Sequence, residues 1–153
     1  MRKTMLAFLL TGFVATPALA DSDFGVKAGM LSFEDDESAA TQVGIVYSMD
    51  LLGMVGAEFD LTTTAAKGEI ISGVEYSTNT LGAFAVVMTP GPFYVKGKAG
   101  LMYVDGDFDL IGSENDSNPA YGVGIGFTFF ELEYTRTQFE EADVDFISLN
   151  FKF

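Results

Sequence analysis

From Ile147 to the final residue the sequence alternates without a break. Ile147, Leu149, Phe151 and Phe153 fall on one face of a strand, and Ser148, Asn150 and Lys152 fall on the other. Alternation at period two marks a strand whose two faces meet different surroundings, and the same alternation recurs along most of the chain. It narrows the fold sharply. A sheet that shows one face to hydrocarbon must pair every backbone N–H and C=O within the protein, and only a closed barrel does so. In such a barrel the closing strand turns apolar side chains to lipid and polar ones to the lumen.

The other end carries export features. Arg2 and Lys3 precede an apolar run from Met5 to Val14, and Ala18-Leu19-Ala20 offers a small-x-small cleavage site before Asp21. This pattern predicts a cleaved signal peptide over residues 1–20, since the run is too short to span a bilayer. With no Cys at the cleavage site, lipid attachment is not expected. Residues 21–153 then form one small domain.

Composition removes several classes of function. The chain has 22 acidic and 8 basic residues, a formal net charge of −14, and loss of Arg2 and Lys3 makes the remainder more acidic still. Such charge opposes nucleic acid and gives no basic patch for anionic head groups. With no His and no Cys, the commonest metal ligands and nucleophile activators are missing. No cofactor is expected, and no enzymatic activity.

The alternation places strands at 24–31, 41–49, 55–62, 72–88, 93–103, 121–129, 131–135 and 145–153. Long connections follow the first, third, fifth and seventh. They include the acidic run Glu34-Asp35-Asp36-Glu37, a mixed loop at 65–69 with Lys67 and Gly68 at its tip, the acidic stretch 105–119, and Glu140-Glu141-Ala142-Asp143. Tight ones follow the second, fourth and sixth, the clearest being Thr89-Pro90-Gly91-Pro92. The join near Phe129-Phe130 contains no turn residue, so its type stays open, and both faces of 83–88 are apolar, so their orientation stays open too. The layout predicts an all-β, eight-stranded, antiparallel up-and-down transmembrane barrel with short periplasmic turns and longer outer loops. Phe24, Tyr47, Tyr76, Phe93, Tyr103, Tyr121, Tyr134 and Phe153 are expected to include the aromatic girdles at the membrane interfaces.

The stretches Thr80 to Val86, Thr89 to Leu101 and Tyr121 to Phe127 resemble the small outer-membrane β-barrel proteins. That family is porin-like and related in fold to the membrane domain of outer membrane protein A. The ending Ile147, Leu149, Phe151, Phe153 is similar to the signal that the barrel-assembly machinery reads. The resemblance implies an eight-stranded barrel in a Gram-negative outer membrane, with outer-membrane lipid and lipopolysaccharide around it. It also implies assembly machinery and periplasmic chaperones as partners during biogenesis. It supplies no shared catalytic residue.

Lys27, Glu58, Asp60, Lys96, Lys98, Glu133 and Lys152 share the polar faces of their strands. An eight-stranded barrel holds little beyond its own side chains, so these charges are expected to pair and fill the lumen. Asp105, Asp107 and Asp109 alternate as in calcium loops, but Leu110 and Asp116 stand where the EF-hand pattern needs Gly and Glu. Gly122, Gly124 and Gly126 follow strand period and are expected to leave room for larger lumen neighbours. The leading expectation is a monomeric structural or surface-interactive barrel with acidic outer loops and a charge-filled lumen. A narrow porin-like channel for ions or small solutes is the alternative. A soluble periplasmic barrel, with its apolar face inward around a ligand, is the inverse reading.

Overall fold

A computed structural model describes residues 21–34, 38–69, 74–108, 112–139 and 142–153. The expected signal segment, Asp35-Asp36-Glu37, the Asp109 and Leu110 of the calcium-like stretch, and Glu140-Glu141 lie outside the described residues. In chain order the strands are β1 Asp21–Phe33, β2 Ala40–Asp50, β3 Val55–Ala66, β4 Gly68–Glu69, β5 Glu75–Met88, β6 Phe93–Phe108, β7 Gly112–Phe127, β8 Phe130–Phe139 and β9 Ala142–Lys152. β4 is a two-residue piece against the upper end of β5. The other eight form a closed antiparallel barrel: β1 pairs with β9 from Gly25↔Lys152 to Phe33↔Val144, and β3 pairs with β5.

Register fixes the shear. From Lys27 the ladder runs through Gly44, Thr62 and Thr80 to Val104, and the other way through Asn150, Glu131 and Gly126 to Tyr94. Val104 and Tyr94 lie ten residues apart on β6, so the strands tilt by roughly 40° and the bore is narrow.

The apolar face points outward. Val123 is 59% exposed, Ile147 56% and Leu101 58%, and together with their neighbours they form a belt around the barrel. At ~3.3 Å per residue and that tilt, the belt is roughly 20–25 Å tall, the height of an outer-membrane apolar band. A soluble ligand-binding barrel would need this face inside, which the structure contradicts.

Two stretches and the placement of Tyr76 differ from the sequence reading, and the orientation of 83–88 and the turn near Phe129, both left open there, are now defined. The stretch 105–119 is mostly β-hairpin, because β6 and β7 stay paired out to Phe108↔Gly112, with Val104, Gly106 and Phe108 buried. Each strand has 16 residues, well beyond the ~9–11 needed to cross a bilayer. Residues 65–69 are likewise the end of β3 and β4 rather than a loop. On β5 the inward face is Tyr76, Thr78, Thr80, Gly82, Phe84 and Val86, since unbroken pairing with β3 and β6 carries one phase along the strand. Tyr76 is therefore a lumen residue, not part of a girdle. The unnamed turn is Thr128-Phe129, between paired Phe127 and Phe130; Thr128 has φ 53°, the first-position sign of a type II′ hairpin.

Candidate functional site: the barrel lumen

The bore is filled in layers. Nearest the turns lies the charged layer, and the structure brings Lys27, Glu58, Asp60, Lys96, Lys98, Glu133 and Lys152 together there. Strand alternation puts each on the inner face, and the shear staggers them until their charged ends meet. Lys27 Nζ donates to Asp60 Oδ2 at 2.6 Å and to Glu133 Oε1 at 2.8 Å. Lys98 Nζ donates to Glu58 Oε1 at 3.1 Å, Asp60 Oδ2 at 2.9 Å and Glu133 Oε1 at 2.7 Å. Lys96 Nζ donates to Glu58 Oε2 at 2.7 Å and also to Glu133.

Glu131 is the member that sequence reasoning left out, although its inward phase on β8 was legible. It accepts from Lys96 at 2.6 Å, Lys152 at 3.0 Å, Tyr94 at 2.8 Å and Asn150 at 2.8 Å. With it, four lysines face four carboxylates and the formal charges of the layer cancel.

The long side chains fit because their cross-strand partners are small. Tyr94, Lys96 and Lys98 on β6 stand opposite Gly126, Gly124 and Gly122 on β7. A Cβ on Gly126 would lie 2.1 Å from the Tyr94 ring, and one on Gly122 would lie 3.1 Å from the Lys98 stem. From the other side, the Phe84 ring centroid is 4.0 Å from Lys98 Nζ, a cation–π contact.

Oxygens of Glu58, Asp60 and Glu133 lie within 4.8 Å of one another, a spacing that suits a metal ion. Lys98 Nζ bonds to all three, so an ammonium already provides the positive charge. Two hydroxyls donate to these carboxylates, Ser48 to Glu58 at 3.4 Å and Thr135 to Glu133 at 3.3 Å, but both acceptors are already held by lysine ammonium groups and neither is a free base. Asp105 and Asp107 do not form a calcium loop either: they sit in β6 opposite Asn115 and Ser113, on one strand face instead of around a point.

Above the charges lies a hydroxyl and amide belt on β2, β3 and β5. Gln42 donates to Thr64 at 2.8 Å and to Thr78 at 2.6 Å, and Thr62 meets Thr80 at 2.7 Å. The loop end is apolar, so the lumen is not charge-filled throughout, as the sequence reading expected. Leu31, Phe33, Tyr76, Val104, Phe108, Val144 and Phe146 are buried there. The Tyr76 ring lies 5.0 Å from Phe33 and 6.2 Å from Phe108 between centroids. Its hydroxyl donates to the Leu31 carbonyl at 3.0 Å and accepts from the Ala40 N–H at 3.2 Å. It thereby closes the β1–β2 ladder where the two strands part.

The terminal group lies elsewhere. Ile147, Leu149, Phe151 and Phe153 are on the outer face of β9 and its end. Phe153 exchanges backbone hydrogen bonds with Phe24 at 2.9 and 3.3 Å, which draws the last residue into barrel closure.

A family model described as the outer membrane protein beta-barrel domain matches residues 6–153. No curated protein matches the chain by sequence. Among solved structures, the N-terminal β-barrel domain of Pseudomonas aeruginosa OprF superposes with a TM-score of 0.60 at 13% identity, covering 88% of this chain and 99% of that one. Neisserial surface protein A gives 0.58 at 14% identity, covering 86% and 94%. Ail of Yersinia pestis, in complex with the heparin analogue sucrose octasulfate, gives 0.55 at 17% identity, covering 88% and 97%.

Proposed function

Since this chain belongs to the outer membrane protein β-barrel domain family, we propose that it is an integral barrel of a Gram-negative outer membrane with a structural and surface-interactive role, and that it neither catalyses nor conducts. The observation that carries this reading is the filled bore. Lys27, Lys96, Lys98 and Lys152 are neutralised by Glu58, Asp60, Glu131 and Glu133 in direct contact, and an aromatic layer lies above them. A conducting path would have to break contacts within the charge layer and also cross an apolar layer, where water and ions are disfavoured.

What the barrel offers outside is acidic. The β6–β7 hairpin carries Asp105, Asp107, Glu114 and Asp116. The cations described outside the lumen are already engaged: Lys67 with Glu75 at 3.2 Å, and Arg136 with Asp145 at 2.6 Å and Asp143 at 3.4 Å. Such a rim disfavours sulfated ligands of the kind held by Ail, and it would meet lipopolysaccharide phosphates through divalent cations. The hydroxyls that reach the inward Lys/Glu layer, Ser48 and Thr135, meet carboxylates already neutralised by lysines, and the absence of a free base beside them supports a non-enzymatic role.

Planar-bilayer recording of the reconstituted protein tests the reading. The expected trace stays at the level of the bare bilayer, and stable unitary steps would replace the structural role with the channel.

A further inference from the structure

The outer surface is asymmetric along the barrel axis in a way that the plugged-barrel reading does not use. At the loop side, the apolar belt ends on tyrosines: Tyr103 on β6, Tyr121 on β7 and Tyr134 on β8. Above them come Asp105, Arg136 and Asp145, and the Tyr134 hydroxyl donates to Asp145 at 2.6 Å. That is the amphipathic boundary expected where a barrel leaves hydrocarbon for water.

The turn side has a different boundary. Tyr47 apart, its outward aromatics are phenylalanines, which carry no hydroxyl for a head group: Phe24, Phe93, Phe127, Phe130, Phe151 and Phe153. They pack against each other, Phe24 with Phe153 at 5.9 Å, Phe93 with Phe127 at 6.1 Å and Phe130 with Phe151 at 4.8 Å. The belt then continues over the turns. Residues 51–54 read Leu-Leu-Gly-Met, with Leu52 81% exposed, and Phe129 caps the third turn against Phe130 at 4.5 Å. None of the turn residues at 51–54, 89–92 and 128–129 is charged. Asp50 closes the first turn by accepting from the Gly53 N–H at 2.5 Å.

We infer that the turn end of the barrel is seated within the lipid leaflet, with Leu51, Leu52, Met54 and Phe129 among head groups and upper acyl chains, and that the partner of this surface is phospholipid. The turn tips extend the lipid-facing belt without an intervening polar collar, and leaving side chains as exposed as Leu52 in water forfeits their transfer free energy. Asp23 and Asp50 lie at the start of β1 and the end of β2, which limits the depth to the head-group region. The barrel is thereby displaced toward its turns, and the β6–β7 hairpin stands clear on the opposite side. The inference rests on the membrane-barrel reading, and its test separates the two.

The chain contains no Trp, so a single introduced one reports its own depth. Leu52→Trp and Val123→Trp are reconstituted in phosphatidylcholine vesicles whose acyl chains carry bromine at shallow or deep positions. Heat-modifiable mobility selects folded protein. Both residues should emit blue-shifted fluorescence, Leu52→Trp quenched most by shallow bromine and Val123→Trp by deep bromine. If Val123→Trp behaves so while Leu52→Trp is quenched only by aqueous acrylamide, the turn-end inference is overturned and the membrane barrel stands. If neither responds to bromine, the membrane reading itself fails. Should Leu52→Trp not fold, Phe129→Trp gives the same readout from the third turn, with the same outcomes.

Discussion

Glu133 accepts from the ammonium groups of Lys27, Lys96 and Lys98 at once, so a neutral amide at this position leaves buried positive charge unmatched. Glu133→Gln is expected to lower stability by about 3–5 kcal/mol, the usual penalty for breaking a buried pair. Glu75→Gln, which removes an exposed partner of Lys67, should change it by no more than ~1 kcal/mol. Urea unfolding in lipid vesicles distinguishes the two, and equal effects would contradict a buried, charge-matched lumen. A second residue-scale test concerns packing. A Cβ on Gly100 would lie 2.0 Å from the Ala83 carbonyl oxygen and 2.7 Å from Phe84 Cα. Backbone cannot swing aside as a side chain can, so Gly100→Ala should cost roughly 1–3 kcal/mol in the same assay. Period two made the inward phase of these residues legible, together with the sign of each charge. Which lysine meets which carboxylate was not legible, because that depends on the shear between strands, a property of closure and not of any one segment.

Among the elements, β7 gives the most direct test of face assignment. Val123 is 59% exposed at mid-belt, and Val123→Arg should destabilise by roughly 2–4 kcal/mol in lipid. An unchanged midpoint would reverse inside and outside. The β7–β8 turn makes an opposite prediction. Thr128 holds φ 53°, which burdens a β-branched residue, so Thr128→Gly should leave stability equal or raise it by up to ~1 kcal/mol. This turn was unreadable from the sequence because its geometry is imposed by the pairing of Phe127 with Phe130 rather than by a turn-forming residue. The orientation of β5 was unreadable for a related reason. Phe84 and Val86 point into the lumen at the level of the charged layer, where Phe84 covers Lys98 and Val86 stands opposite it, so hydrophobicity no longer distinguishes lipid from interior. The hairpin of β6 and β7 was hidden beneath its acidic composition, which marks solvent exposure without saying whether the backbone is paired.

At the scale of the whole molecule, the outward belt, the cancelled lumen charges and the closed β1–β9 seam describe a single object: a barrel solvated by lipid outside and by its own side chains inside. Lys96→Ala should raise conductance little, because the aromatic layer of Phe33, Tyr76 and Phe108 remains above the altered charges. Gel mobility of the native protein, boiled against unboiled, from separated inner-membrane, outer-membrane and periplasmic fractions tests at once whether the barrel is closed and where it resides. A band in the outer-membrane fraction whose mobility shifts on boiling is the predicted result. An unshifted band in the soluble periplasm would contradict the account, since a barrel with this outer face cannot remain dispersed in water.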